Sequence, residues 1–447
     1  MPEKSPTPVP TFLSRRRRSR LVVAGTCVAL AATFGSVPVT ATAGGSGHGR
    51  SATDAYVAQW DEIGSQAFTA SALSPAEGHV LFAYSSIAVY DAVMAVHRDH
   101  QPFAVRDRAP RGTSAEAAVV AAAHRIYSHY LPAQVPTILD PAYDASLATI
   151  PDGSAEDRGV ALGRRVANAL IALRQDDGFR ASVTYTPPTP PMAGDWIPTA
   201  TTTPFGTYLP GMRPFALESA DQVRPDGPPD LDSRRWARDF NEVKKFGSST
   251  STSRTPDQTL AALFWAEAPV QQAHAALRGV IGERDLDIAE AARMMAMASV
   301  GYADSIIACF DAKYHYEFWR PITAIPAGNN DGNRATVGDP DWKPLLPGTP
   351  NHPEYPSAHA CITPAGGAML AAFLRTRHID LTMPSLTGLG DRHFDTLWEL
   401  THEVGNARVW GGIHFRSAVN DGVEIALRTA REILKHNFER SWHGHSR

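Results

Sequence analysis

Helix-start signals recur along this chain, each set directly before a stretch of helical apolar period, and no comparable run alternates apolar with polar residues. Thr113 with Glu116 reads as a capping box ahead of an alanine-rich stretch that continues to Leu131 and stops at Pro132. Ser154 with Asp157 opens a second helix, with Leu162, Val166, Ala169 and Leu173 on one face until Gly178. Thr255, Pro256 and Gln258 supply an N-cap, a first-turn proline and a third-position amide before LAALFWAEA. Asp287 introduces the Met-rich segment Ile288 to Phe310, Cys361 to Leu374 and Phe394 to Phe415 read as further helical stretches, and Gly422 to Leu434 closes the chain in helical register. The predicted fold class is all-α.

Two irregular segments divide this pattern. Tyr185 to Pro229 is crowded with proline, glycine and threonine and is too long for an ordinary connection in a compact bundle. Trp196, Phe205, Tyr208 and Phe215 give it apolar anchors that a solvated linker does not need, so it is expected to drape over the second half and line a site's mouth. Pro321 to Tyr355 is the second such segment. The expected division is an N-terminal helical half (52–184), the irregular segment (185–229) and a C-terminal helical half (230–440).

The first residues read as a targeting segment. Arg15 to Arg18 and Arg20 precede an apolar run from Leu21 to Val37, and Ala41-Thr42-Ala43 has the A-x-A form of a cleavage site. The run falls short of the ~20 residues a membrane span needs. Residues 1–43 are therefore expected to be a signal peptide and the mature chain to be secreted, with no membrane attachment after cleavage. The consecutive arginines also fit a twin-arginine signal loosely. Beyond this segment a net charge of −4 is spread without an extended basic block, which argues against a nucleic-acid partner. A chain of 447 residues, 43% hydrophobic, can bury one large core or two smaller ones. Small-molecule chemistry is the expectation that remains.

Three short stretches carry that chemistry: Lys313 to Pro321 (KYHYEFWRP), Pro356 to His359 (PSAH) and Arg408 to His414 (RVWGGIH). Lys313, Arg320 and Arg408 are suited to neutralising a multiply charged tetrahedral anion, with the guanidinium fork adapted to paired oxygen contacts. Ser357 and nearby backbone N–H groups add hydrogen bonds at a loop-to-helix junction, where the helix dipole favours an anion. Of the two histidines, one can bond to the central atom while the other moves a proton near neutral pH. Lys313 and Arg320 are expected on one side of the end of the Ile288 helix, with Pro321 terminating it.

These stretches resemble the signature of the vanadium-dependent haloperoxidase and type 2 phosphatidic acid phosphatase superfamily, K-x6-RP, PSGH and SR-x5-H, in order and internal spacing. The match in motif order covers roughly Asp287 to Leu434. By resemblance the fold is two packed helical bundles with the active site in the C-terminal one. Lys313, Arg320, Ser357, the N–H of Ala358 and Arg408 are implied to clamp the oxyanion. His359 is implied as acid/base, and His414 as the residue that binds vanadium or attacks phosphorus. Two positions depart from the pattern: Ala358 stands for glycine, at a cost of about 1 kcal/mol if the backbone there is left-handed, and Ala407 stands for serine.

The resemblance implies a vanadium-dependent haloperoxidase that uses hydrogen peroxide and halide to form hypohalous acid, with vanadate on His414 and Lys313 polarising bound peroxide. The alternative is a secreted acid-phosphatase-like enzyme, needing no cofactor, in which His414 attacks a phosphomonoester. A non-catalytic oxyanion-binding protein is the third reading. The absence of a multi-span hydrophobic pattern and the stretch HPEYPSAHA, with His352 seven residues before His359, favour the peroxidase. His352 is then a candidate for acting on halide or on a proton, or else a plain loop histidine. His402 and Glu403 read as the polar side of a helix. Cys309 and Cys361 flank motif residues, either as a disulfide or as two buried thiols.

Overall fold

The computed structural model describes residues 55–441. The expected signal peptide lies outside them. Thirteen α-helices and one two-stranded sheet make up the regular structure of the described residues. Helices α1 (Ala55–Thr69), α2 (Pro75–His97), α3 (Ala115–Tyr130), α4 (Asp140–Leu147) and α5 (Ser154–Leu173) form the N-terminal half. After the irregular segment come α6 (Arg234–Phe246), α7 (Pro256–Phe264), α8 (Pro269–Glu283), α9 (Ile288–Tyr316), the single turn α10 (Pro321–Ala324) and α11 (Ala358–Leu374). The hairpin β1 (His378–Met383) and β2 (Arg392–Thr396) follows, then α12 (Leu397–Trp410) and α13 (Arg416–His436).

The protein is all-α in class, as two packed helical bundles. The axis of the packing is α9. Asp287 caps it and forms a capping box with Glu290, and almost every residue from Ile288 to Lys313 is buried, so the helix is apolar all round because it is enclosed. On one side α9 packs against α2, which in turn carries α3 and α5; on the other it packs against α11, which carries α12 and α13. One continuous core runs through both bundles, from Trp60 and Val80 to Leu400 and Ile433. Helix α2 is long and apolar enough to cross a membrane by composition, yet it lies inside this core. The close approach of α9 to α11 needs glycine at 366, where a Cβ would overlap the Tyr302 ring.

Several local expectations shift. The N-cap of α3 is Ser114, whose hydroxyl accepts from the Ala117 N–H, rather than Thr113; Ser114 also donates to Glu116, which removes that carboxylate from a capping box with Thr113. Helix α5 starts after Gly153, with no side-chain cap, so the pairing of Ser154 with Asp157 is not its start signal. Helix α9 ends at Tyr316, before the proline, because Glu317 adopts a left-handed conformation and returns its N–H to the Lys313 carbonyl. Arg320 therefore sits in extended backbone at the start of α10 rather than two turns along α9. The stretch 394–415 begins as a strand: Phe394 pairs with Leu381, and the hairpin's polar outer face made its alternation too short to stand out.

The segment 185–229 is pinned to α9 at several points. Asp304, buried in the middle of α9, accepts N–H groups from Phe215, Ala216 and Leu217 at 2.6, 2.8 and 2.9 Å. Trp196 is fully buried and donates its N–H to the Glu317 carbonyl at 2.7 Å, while Phe205 donates to the Asn351 carbonyl at 3.0 Å.

Candidate functional site

The three motifs converge although the chain between them is long. Lys313 lies in the last turn of α9, Arg320 opens α10, Ser357 is the N-cap of α11, Arg408 lies in the last turn of α12, and His414 sits in the short turn before α13. Lys313, Arg320, Ser357, Arg408 and His414 are all buried. A disulfide between Cys309 and Cys361, with Cα atoms 6.3 Å apart, ties α9 to α11 beside them. That closes the choice between a bridge and two thiols.

Arg320 is the hub. Its Nε donates to the His352 carbonyl at 3.0 Å, and Nη1 donates to the Ile413 carbonyl at 3.0 Å and lies 3.2 Å from His414 Nε2. Its Nη2 lies 3.0 Å from His352 Nδ1. Lys313 is fully buried and spends its three donors on backbone: the carbonyls of Pro353 at 2.9 Å, Glu354 at 3.0 Å and Pro356. It thus holds the loop that delivers PSAH and contributes charge from behind it.

Glu354 was not singled out in the sequence. It is fully buried, and its Oε1 accepts from the Phe415 N–H at 2.9 Å while lying 2.9 Å from His414 Nδ1. Because Oε1 is already an acceptor for the amide, Nδ1 is the protonated ring nitrogen, which leaves Nε2 with its lone pair. The motif position between His352 and Ser357 was visible, but nothing local marks it as the partner of a histidine some sixty residues on.

Ala358 is the first residue of α11 in right-handed helical backbone, so alanine causes no strain there. The N-cap hydroxyl of Ser357 makes no capping bond and has no partner, nor do Arg408 Nε and His359 Nε2. Ala407 is buried in the core. Arg408 Nη1 donates to the Trp265 carbonyl at 2.5 Å, and the Trp265 indole in turn donates to Glu403 Oε1 at 2.9 Å. Glu403 also pairs with Arg392 at 2.6 Å, so it braces Arg408 at one remove instead of facing solvent. His402 is exposed and stacks on Trp398, and His315 is exposed.

Five of the site residues border a cavity of about 360 Å³, while Lys313, Arg320, Ser357 and Glu354 stand behind its wall. His352, Ala358, His359, Arg408 and His414 line it together with the apolar Phe205, Ile306, Phe310, Leu346 and Ile362. The expected drape of 185–229 thus reaches the cavity through Phe205.

Electrostatically the site is short of negative charge. Burial pushes Arg408 down to about 9 and Arg320 down to about 10, and lowers Lys313 well below the usual amine range; neighbouring cations add to the effect on Arg408 and Lys313. Burial raises Glu354 to about 8 against the pull of Arg320 and Lys313. His352, His359 and His414 are lowered by burial and then by nearby cations, which keeps their rings neutral. Three buried cations with one carboxyl group, beside partnerless polar atoms and a helix N-terminus, make an arrangement suited to an anion.

Residues 293–443 match the family model of the VCPO second helical-bundle domain. Over these residues the chain is similar to that domain. The resemblance to the vanadium-dependent haloperoxidases read from the motifs is borne out. The vanadium chloroperoxidase of Curvularia inaequalis is 25% identical over 241 residues, a match covering 40% of this chain and 39% of that protein's length. Among solved structures, a bacterial vanadium-dependent iodoperoxidase superposes with a TM-score of 0.72 at 23% identity, covering 87% of this chain and 97% of that one. A holo-type bacterial vanadium-dependent chloroperoxidase gives 0.68 at 18% identity, covering 84% and 96%. At these identities the likeness establishes a shared helical fold extending well beyond the second bundle.

Proposed function

We propose that the chain is a vanadium-dependent haloperoxidase, with vanadate held on His414 Nε2. The observation that carries this reading is the excess of buried positive charge around a histidine whose outer nitrogen is aimed away from its carboxylate partner. Kinship with the haloperoxidases supports it.

The residues fit the group. Ser357 Oγ, Arg408 Nε and His359 Nε2 are buried without partners, and vanadate oxygens would satisfy them. Arg320 and Arg408 would take oxygens by charge-assisted bonds, and the N–H groups at the start of α11 would add the helix dipole. When bound, vanadate supplies a Lewis-acidic centre that activates hydrogen peroxide toward halide. Glu354 fixes the tautomer and orientation of His414. Lys313 adds positive potential across the 353–356 loop. His359, neutral in the free protein, is placed to accept a proton at Nε2 from peroxide or to return one to a leaving oxygen. Arg320 Nη2 steers His352, whose ring faces the cavity where a halide would approach.

The phosphohydrolase reading uses the same clamp with phosphate in place of vanadate. The deciding experiment is to purify the protein, load it with orthovanadate or leave it free, and assay bromination of a phenol dye beside hydrolysis of an aryl phosphate. Vanadate-dependent bromination is expected. Aryl phosphate hydrolysis inhibited by vanadate, with no bromination, would replace the peroxidase by the phosphatase.

A further inference from the structure

Outside the motifs and the second bundle, one polar side chain lining the cavity lacks hydrogen-bond partners, whereas Ser74 and Glu267 have theirs. His79 lies on α2, 1% exposed, and neither of its ring nitrogens has a partner. The ring packs on Tyr302 with centroids 5.3 Å apart, and it lines the same cavity as His359, whose Nε2 is also partnerless. Burying an imidazole without hydrogen bonds costs free energy, because neither ring nitrogen recovers the bonds it made to water. A side chain kept in that state is matched to something that enters the cavity.

The chemistry of the group narrows the visitor. Burial, reinforced by nearby His274, drives the His79 pKa down to about 3, so the ring is neutral at any ordinary pH. It offers one N–H donor and one lone pair, which suits a hydroxyl better than an anion; the arginines already serve the anion. The wall around it is apolar, with Ala76, Ile306, Phe310 and Ile362. A volume of about 360 Å³ falls within the range of small-molecule sites, roughly 300–1,000 Å³.

We propose that His79 is a substrate-contacting residue that hydrogen-bonds the hydroxyl of an apolar phenol bound in this cavity beside the oxyanion site. This rests on the reading of the cavity as the reaction site. It makes the N-terminal bundle part of the substrate surface, and places an organic acceptor next to the centre where the oxidised halogen forms.

The test needs neither peroxide nor turnover. The vanadate-free protein is titrated with phenol and with toluene by calorimetry, and orthovanadate binding is measured on the same preparations. Phenol is expected to bind saturably and several-fold more tightly than toluene, since a site built to bond a hydroxyl rejects the analogue lacking it. His79→Phe should weaken phenol roughly two- to tenfold, to the level of toluene. His79→Gln should recover part of the preference, and vanadate binding should be unchanged in both. Equal phenol affinity in wild type and His79→Phe overturns the proposal. If His79→Phe does not fold, the wild-type preference decides alone, and equal binding of phenol and toluene overturns it. Loss of vanadate binding in the wild type with a phenol preference intact would defeat the haloperoxidase reading and leave the His79 contact standing.

Discussion

His414 Nδ1 lies 2.9 Å from Glu354 Oε1, inside the protein, and the same oxygen accepts the Phe415 amide. One carboxylate thus sets both the tautomer of the histidine and the path of the chain that carries it. Glu354→Ala would strand two buried donors and should destabilise the fold by at least about 2 kcal/mol. Glu354→Gln, which keeps an acceptor oxygen, should cost clearly less. Urea denaturation of the two variants makes the comparison, and equal stabilities would mean that the contact orients nothing.

His414→Ala should abolish vanadate retention in a protein that still folds, because no other ring nitrogen in the motifs pairs a fixed tautomer with the cation cluster. Metal analysis after gel filtration measures it. Stoichiometric vanadium in the variant would move the attachment point elsewhere.

Arg408 and Lys313 should separate. Arg408 borders the cavity with Nε free, so Arg408→Met is expected to weaken vanadate binding by about 1.5–3 kcal/mol. Lys313 instead ties three carbonyls of the 353–356 loop, so Lys313→Met should lower thermal stability as well as anion affinity. Sequence spacing alone treats the two as equivalent clamps. A Lys313→Met protein as stable as wild type would return it to that role.

His359→Ala should leave vanadate on His414, since Arg320, Ser357 and Arg408 remain, while the rate falls by about 10² to 10⁴ and one limb of the pH profile flattens. Loss of vanadate with an unchanged residual profile would make His359 a ligating group.

Stability should fall on the acid side. His79, His352, His359 and His414 all have folded pKa values below the ordinary 6.5, with burial as the largest cause. Below that pH the unfolded chain binds protons that the folded one does not, so each histidine removes up to about 1.4 kcal/mol per pH unit. Glu354 acts in the opposite sense between 4.5 and about 8, where the folded state holds the extra proton and stability declines as pH rises. Asp91, pushed up by burial to about 7, acts in the same sense as Glu354; the four buried imidazoles outweigh these two carboxyls, so urea midpoints of the anion-free protein should drop between pH 6.5 and 5. A flat profile would contradict the buried neutral histidines.

What the sequence by itself determined is what depends on neighbours along the chain. Helical period and capping at Asp287 and Thr255 marked an all-α protein, and the short spacings within KYHYEFWRP, PSAH and RVWGGIH singled out a candidate oxyanion site. Tertiary structure decided the rest, because it depends on which surfaces meet. Local pattern left α9 running to its proline, whereas a left-handed Glu317 stops it at Tyr316 and turns Arg320 toward His352 and His414. Glu354 meets His414, Glu403 braces Arg408 through Trp265, and His79 joins the cavity only when α2 packs on α9. Such contacts are selected by close packing over long loops, and no spacing between the residues records them.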